Sequence, residues 1–164
     1  MESRRPAGHV LDSPAGVGYK GGRDALQETP MADTIPIILD TDIGDDIDDT
    51  WALIFLLRCP ELDVRLITTT AGKAVSRART VARLLEIAGR TDIPIGLGRG
   101  APGSETHPTN QQAWIDDYDL ATYGGTVHDD GPVAIVETIN ASDRPVTVVA
   151  IGPLPTVADA LRRD

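Results

Sequence analysis

Apolar strand-like runs and amphipathic helix-like segments alternate along the chain from residue 35 onward. Short runs of branched apolar residues predict strands at 35–39, 64–69, 93–97 and 146–151. Helical spacing and stop signals predict helices between them, at 50–59, 75–88, 133–140 and 154–163. This alternation is typical of an α/β fold with an open, largely parallel sheet flanked by helices. Ligands of such sheets bind beyond the carboxyl ends of the strands.

Two of the predicted helices allow a prediction of their buried faces. In the helix at 75–88, the face expected to be buried comprises Val75, Ala78, Ala82 and Leu85. The arginines of that helix, including Arg77, are expected largely off this face. In the helix at 50–59, Trp51 is expected in the core, and Cys59 is expected as a core thiol at the helix end.

The two ends of the chain differ from this regular pattern. Residues 1–30 are rich in Gly, Pro, Ser and charged residues without a sustained period, which predicts a disordered N-terminal extension. About four predicted strands are few for a sheet of this class, and the last predicted helix reaches the end of the chain. We therefore expect residues 31–164 to form the N-terminal portion of a larger domain.

Composition and charge narrow the possible partners. The 164 residues are 41% apolar and 24% charged, with a net charge of −10, which argues against nucleic acid and anionic membrane surfaces as partners. No apolar run approaches the length of a membrane span. A single cysteine, Cys59, excludes an internal disulfide and favours a reducing, cytoplasmic setting.

An aspartate cluster follows the first predicted strand in the sequence DTDIGDDIDD. Six aspartates lie within the ten positions from Asp40 to Asp49. Aspartates near a helix N-terminus are favoured as caps, but capping accounts for one or two of them. Carboxylates this close repel one another unless a cation or a shared proton intervenes, and hard oxygen ligands suit Ca²⁺ or Mg²⁺. A second reading takes Asp40 as the nucleophile of a haloacid-dehalogenase-type phosphatase, although Gly44 stands where that motif has Thr or Val.

The whole string resembles the signature of the inosine–uridine preferring nucleoside hydrolases. That family has a strand, Asp-x-Asp-x-Gly-x-Asp-Asp and an apolar helix, and here two extra residues separate Gly44 from the final aspartate pair. The stretches ELDVRLITTTAG and VTVVAIGPLPTVADALRRD resemble the family's second strand and its later strand, Gly-Pro-Leu turn and helix. The resemblance covers most of residues 35–164, the N-terminal half of a family member.

The resemblance implies calcium-dependent hydrolysis of the N-glycosidic bond of ribonucleosides, in purine or pyrimidine salvage. It implies Asp42, Asp49 and the carbonyl of Ile151 as Ca²⁺ ligands, with Asp42 also as the general base. Asp48 would hold ribose hydroxyls, and Asp40 would either lie behind the metal ligands and support them or lie near the ribose. A full-length relative is expected to be a homo-oligomer.

The sequence also departs from the family pattern. Lys73 stands where the family often has an asparagine that contacts ribose, and Pro155–Thr156 replaces Thr-Asn after Gly-Pro-Leu. The two extra residues leave open whether Asp45 or Asp46 takes a role in the site. The family's further metal-binding aspartate and its base-proximal histidine have no match within 164 residues. A catalytically inactive relative that binds calcium or a partner is therefore the alternative to an enzyme.

Two groups of loop residues have open interpretations. His128 is read as a surface histidine in preference to a leaving-group acid. Trp114, Tyr118 and Tyr123 either stack on a nucleobase or cover the core.

Overall fold

The computed structural model describes residues 34–100 and 108–163. Its strands are β1 (Ile35–Thr41), β2 (Leu62–Thr69), β3 (Ile95–Gly96), β4 (Val127–His128) and β5 (Thr147–Ala150). Its α-helices are α1 (Asp48–Arg58), α2 (Ala74–Ala88), α3 (Gly131–Asn140) and α4 (Pro155–Ala160). The extension predicted at 1–30 and the domain boundary predicted at Met31 lie outside the described residues.

The five strands form one parallel sheet in the order β4-β3-β2-β1-β5. This confirms the predicted α/β class with an open parallel sheet and flanking helices. The strand β4 was not predicted, because two residues carry no readable alternation. The chain leaves β1 on one side toward β2 and later returns on the other side as β5. The boundary between β1 and β5 is therefore the point where the strand order reverses, and ligands bind at such points.

Alternate residues of β1 and β2 are buried in two separate hydrophobic clusters. Leu39 and Ile67 belong to the cluster that includes residues of α1 and α2. Their strand neighbours Ile38 and Leu66 belong to the cluster that includes residues of α3 and α4. Because successive side chains of a strand point to opposite faces, the helices cover both faces of the sheet in pairs. Burying each of these side chains contributes about 1.5–3 kcal/mol.

Two expectations about helix faces were wrong. Trp51 is 64% exposed, since α1 is apolar around most of its circumference and buries only Asp49 and Leu53. In α2, Val75 is largely exposed whereas Arg77 is only 2% exposed. The Arg77 guanidinium lies inside because it has polar partners there, which the hydrophobic period does not reveal. Cys59 is half-buried at the end of α1.

The predicted boundaries differ from the observed ones at several ends. α1 begins at Asp48, two residues before the predicted start, so the last aspartates of the cluster form the first turn of the helix. The regular part of α4 is shorter than predicted, and β3 is confined to two residues. Within the described ranges, no helix combines the length and apolarity that crossing a membrane requires.

Candidate active site

The carboxylate of Asp42 lies at the carboxyl end of β1, against the turn that follows β5, and this place is called the crevice below. Asp42 is half-buried and directly follows β1, and Gly152 comes two residues after β5. A methyl group on Gly152 would lie 2.6 Å from Asp42 Oδ1. The main chain of the Gly-Pro-Leu turn therefore packs directly on this carboxylate. The sequence element predicted to hold the catalytic aspartate and the element predicted to hold Ile151 thus meet where this class of sheet binds ligands.

Asp40 lies inside β1, one residue before the strand ends. Its side chain is fully buried, and the Thr68 hydroxyl donates a 2.6 Å hydrogen bond to its Oδ1. Its Oδ2 is buried without a hydrogen-bond partner. Burial, together with the negative charge of Asp42, raises the pKa of Asp40 to about 7. This carboxyl therefore titrates near neutral pH, well above the range of an ordinary aspartate.

Asp49 is the second residue of α1 and is buried against the end of β1. The Thr41 hydroxyl donates a 2.6 Å hydrogen bond to Asp49 Oδ1 and accepts one from the amide of Ile43. Burial raises the pKa of the Asp49 carboxyl, and the charges of Asp42 and Asp48 raise it further. Asp48, the first residue of α1, is exposed. The cluster is not a set of helix caps, since the residue at the N-cap is Ile47 and has no side-chain cap bond.

The electrostatic surroundings of these carboxylates fit a bound cation. Asp40, Asp42 and Asp49 form no ion pair with a lysine or arginine in the described part of the chain, and the pKa of two of them is raised by the charge of the third. Hard oxygen donors that lack a cationic partner are the ligands that Ca²⁺ and Mg²⁺ prefer. Across residues 34–100 and 108–163, no three acidic, histidine or cysteine side chains converge as a complete metal-binding group. The donors present therefore fit a cation that takes further oxygens from main chain or water.

Ile151 lies one residue beyond β5, beside the same strand end. Its amide donates a 2.9 Å hydrogen bond to the carbonyl of Asp40, which continues the β1–β5 ladder past the last paired residues. This places the main chain of Ile151 and Gly152 next to the end of β1.

Threonines at the strand ends link the loops around the crevice, and no sequence motif singled them out. Thr156, at the start of α4, donates to the carbonyl of Thr69 and lies 3.0 Å from the hydroxyl of Thr70. Thr70 donates to the carbonyl of Pro153, and the amide of Arg99 donates to Thr156 Oγ1. These bonds join the ends of β2, β3 and β5. The run of three threonines at 68–70, where β2 ends, was the available signal.

The structure adds Arg77 to the region of the site and gives Lys73 an acidic partner. The Lys73 ammonium lies 3.2 Å from Asp45 Oδ1, and Arg77 Nη2 lies 3.0 Å from Asp45 Oδ2. Of the two extra aspartates in the motif, Asp45 is thus the one with cationic partners. The side chain of Asp46 is exposed, and its carbonyl accepts a hydrogen bond from Gln111 Nε2.

The aromatic residues of the long loop have different surroundings. Tyr123 is buried in the core and donates a 2.8 Å hydrogen bond to the carbonyl of Ile93. Tyr118 packs against the same core. Trp114 is partly exposed, with the Arg83 guanidinium 5.4 Å from its ring centroid, within cation–π distance.

His128 lies on β4, an edge strand separated from β1 by two others. At about 4.8 Å between strands, its main chain is roughly 14 Å from β1. This distance argues against His128 as a leaving-group acid beside Asp42, and its side chain is half-buried.

Comparison with known proteins identifies the family of the chain. The model of the family described as inosine-uridine preferring nucleoside hydrolase matches residues 37–164. The chain is 35% identical over 135 residues to the non-specific ribonucleoside hydrolase RihC of Salmonella agona, covering 78% of this chain and 43% of that protein. It is 35% identical over 150 residues to the probable uridine nucleosidase 2 of Arabidopsis thaliana, covering 82% and 44%.

Solved structures show the same relationship. The chain matches the plant nucleoside hydrolase PpNRh1 with a TM-score of 0.57 and 30% identity, over 79% of this chain and 43% of that one. An inosine-guanosine nucleoside hydrolase shares the fold, with a TM-score of 0.58 at 21% identity. The chain spans less than half the length of these relatives. The family model over residues 37–164 and the 35% identity to these hydrolases show that the chain belongs to the inosine-uridine preferring nucleoside hydrolase family.

Proposed function

We propose that the protein acts in the hydrolysis of the N-glycosidic bond of ribonucleosides, with Ca²⁺ as its metal. The observation that carries the proposal is the position of Asp42 in the β1–β5 crevice, beside two buried carboxylates of raised pKa, in a chain of this family. Matched relatives are named as hydrolases of ribonucleosides or of uridine, which supports the substrate class. Because the chain spans less than half of their length, the activity itself remains a proposal.

Three groups of this chain would hold the cation: the carboxylates of Asp42 and Asp49 and the carbonyl of Ile151. Thr41 supports this role, since its hydroxyl fixes Asp49 Oδ1 and leaves the other carboxylate oxygen available. When bound, a divalent cation would lower the pKa of the attacking water.

The chain's own carboxylates account for the remaining chemistry. Asp42 would accept the proton of the water that attacks C1′ of the ribose, while the electrons of the C1′–N bond leave with the base. Positive charge develops on the ribose as that bond breaks, and the nearby carboxylates would stabilise it. Asp48, exposed at the start of α1, would accept hydrogen bonds from ribose hydroxyls. Asp40 and Lys73 lie further back, the first inside the strand and the second against Asp45, and would contact the ribose only indirectly.

A second candidate is a protein that binds calcium or a partner without catalysis. The ion pair between Lys73 and Asp45 favours it, because Lys73 stands where the resemblance implies a ribose contact. The phosphatase reading has lost its support, because the proposed nucleophile Asp40 is fully buried and bonded to Thr68 and the chain belongs to another family.

We propose a cytoplasmic setting, which the single cysteine supports. The net charge of −10 supports a small neutral substrate over a nucleic acid. Homo-oligomerisation of a full-length relative stays part of the proposal.

The decisive experiment combines calcium calorimetry with a reducing-sugar assay on inosine and uridine. We expect the parent chain to bind one Ca²⁺, and Asp42→Ala and Asp49→Ala to weaken binding at least about tenfold. Asp117→Ala is the matched control, because Asp117 is an exposed aspartate paired with Arg83 away from the crevice. Unchanged calcium affinity in both crevice variants would refute the assigned ligands.

We expect turnover by the 164 residues alone to be negligible. The chain spans less than half of its relatives' length, and a displacement of substrate or catalytic group by about 1 Å alone can cost ~100-fold in rate. The assay is therefore repeated with the chain fused to the portion of RihC beyond the matched region. Turnover that appears and is lost in Asp42→Ala supports the hydrolase. Calcium binding without turnover in either preparation favours the binding-only candidate.

A further inference from the structure

Asp45 connects the loop that carries the aspartates to two other parts of the chain. This loop, residues 42–47, is called the aspartate loop below. Oδ1 of Asp45 lies 3.2 Å from the Lys73 ammonium and accepts a hydrogen bond from the amide of Asn110. Its Oδ2 accepts a 3.0 Å hydrogen bond from Arg77 Nη2. Partial burial of Asp45 favours a higher pKa. This effect is outweighed by the bonds from Lys73 and Asn110 and by the charge of Arg77, which lower the pKa of the Asp45 carboxyl. Asp45 therefore stays ionised at neutral pH.

Arg77 connects the same segments from the inside. Its Nη1 donates a 2.8 Å hydrogen bond to the carbonyl of Ile43, and its Nε donates to the carbonyl of Gly72. Asp45 is its one carboxylate partner among the described residues. A guanidinium this deeply buried is stable only while its charge is compensated. Removing Asp45 would therefore disturb Arg77 and, through Ile43, the aspartate loop itself.

The segment that presents Lys73 is held in an unfavourable backbone conformation. Ala71, Gly72 and Lys73 all have left-handed φ values, of 60°, 78° and 53°. Residues with a Cβ rarely adopt this region, and it persists only where surrounding contacts enforce it. The bonds of Lys73 and Arg77 to Asp45 are contacts of this kind.

The aspartate loop is fastened on its other side by main-chain contacts. The amide of Gln111 donates a 2.8 Å hydrogen bond to the carbonyl of Gly44. Thr109 packs so closely on Gly44 that a methyl group there would lie 3.2 Å from its Cγ2. Asp45, the next residue, adds the bond from the amide of Asn110. The loop between Asp42 and Asp49 is thus anchored near its middle.

We infer that Asp45 is a positioning residue, which anchors the aspartate loop to the start of α2 and to residues 109–111 and thereby holds Asp42 and Asp49 at the end of β1. This role deepens the proposed function, on which it rests for the meaning of Asp42 and Asp49. Asp45 touches neither of them directly. Its effect on calcium binding is transmitted by the shape of the loop.

Hydrogen exchange of the metal-free chain tests the anchoring without any need for turnover. Asp45→Ala is compared with Asp46→Ala, which removes the same charge from the neighbouring position, where no side-chain hydrogen bond or ion pair is formed within the described residues. The amides of Asn110 and Gln111 and those of the aspartate loop are the reporters. In Asp45→Ala we expect their protection to fall by about tenfold, equivalent to about 1.4 kcal/mol, while α3 stays protected. In Asp46→Ala we expect no change.

Calcium calorimetry on the same two variants tests the consequence for the site. We expect the dissociation constant to rise by about tenfold in Asp45→Ala and to stay within twofold of the parent in Asp46→Ala. Equal effects of the two variants would overturn the inference, since they would show a dependence on net charge alone. Unchanged protection in Asp45→Ala would also overturn it.

A milder variant covers the case in which Asp45→Ala does not fold. Lys73→Asn removes one ion pair but leaves the buried Arg77 compensated. It should lower the protection of the same reporter amides, by less than Asp45→Ala, and an unaltered exchange pattern would contradict the proposed anchor. Loss of protection without hydrolysis in any preparation supports the anchor and counts only against the proposed activity.

Discussion

The buried carboxyl of Asp40 makes a specific prediction about stability and pH. Its pKa is raised from an ordinary value of 3.8 to about 7 in the folded chain. Between these two values the folded state holds a proton that the unfolded state releases. Stability is therefore highest at low pH, falls as pH rises through this interval and levels off above the folded pKa. Asp40→Asn removes this titration and should remove its contribution to the pH dependence.

The magnitude follows from the size of the interval. Between the unfolded and folded pKa values, the free energy of unfolding falls by about 1.36 kcal/mol per pH unit. It levels off near the folded pKa. Between pH 5 and pH 8, the free energy of unfolding of Asp40→Asn should therefore rise by about 2.5 kcal/mol relative to that of the parent chain. In Asp40→Asn the new N–H₂ group takes the place of Oδ2, which has no hydrogen-bond partner. Burying that group without a partner costs about 1–3 kcal/mol. That cost is independent of pH. The prediction therefore concerns only how the difference in unfolding free energy between Asp40→Asn and the parent chain changes with pH.

Urea unfolding measured at several pH values, with a chelator present to exclude metals, provides the assay. Asp117→Asn is the control. Its carboxyl is exposed and its hydrogen bond with Arg83 lowers its pKa, so its difference from the parent chain should be flat from pH 5 to pH 8. If the Asp40→Asn difference were equally flat, Asp40 would titrate as an ordinary carboxyl. The argument from burial and from the charge of Asp42 would then be wrong.

Two further predictions concern the core and the surface. Tyr123→Phe removes the buried hydrogen bond to the carbonyl of Ile93. It should lower the free energy of unfolding, measured by chemical denaturation, by about 1 kcal/mol or somewhat more. No loss would mean that a water molecule donates the hydrogen bond in place of the phenol hydroxyl. Trp51 and Phe55 are exposed one turn apart on α1, and we expect the chain to associate through this apolar patch as its concentration rises. Phe55→Ser should reduce that association in sedimentation velocity, and unchanged association would show that the contact lies elsewhere.

The sequence was sufficient for the class of fold and for the place of the aspartates. Apolar runs that alternate with helical segments predicted the parallel sheet. The motif's position after the first strand then placed Asp42 and Asp49 at the carboxyl edge. The structure brings both to the end of β1, with Thr41 bonded to Asp49. Strand ends of a parallel sheet meet at one edge, so this part of the site follows from topology alone.

The wrong predictions concern residues whose burial does not follow the hydrophobic periodicity of their helix. Trp51 lies on a helix that is apolar on nearly every side, and periodicity cannot then select the buried face. Arg77 is buried because Asp45 and two main-chain carbonyls surround its guanidinium. Asp45 is distant from Arg77 in the sequence, and a sequence does not show which main-chain carbonyls will accept a hydrogen bond. The two departures from the family motif, the extra Asp45 and Lys73, contact each other, which neither position indicated separately.

The contact between Gly152 and Asp42 permits a test that leaves every carboxylate in place. A methyl group on Gly152 would lie 2.6 Å from Asp42 Oδ1, 2.8 Å from its Cγ and 3.0 Å from Thr70 Cγ2. The Asp42 carboxylate can rotate away more easily than the strand can move. Gly152→Ala should therefore displace this carboxylate at little cost in stability.

Gly124→Ala is the matched control, since the nearest atom to its new methyl group would be 3.7 Å away on Thr91. We expect Gly152→Ala to weaken calcium binding by about tenfold or more in calorimetry, because changes that disturb the orientation of a metal ligand typically cost about 10–100-fold in metal affinity. Its unfolding midpoint should stay close to that of Gly124→Ala. If Gly152→Ala bound calcium as tightly as the parent chain, the carboxylate facing this turn would not be a ligand, and the metal would have to be sought elsewhere on the sheet edge.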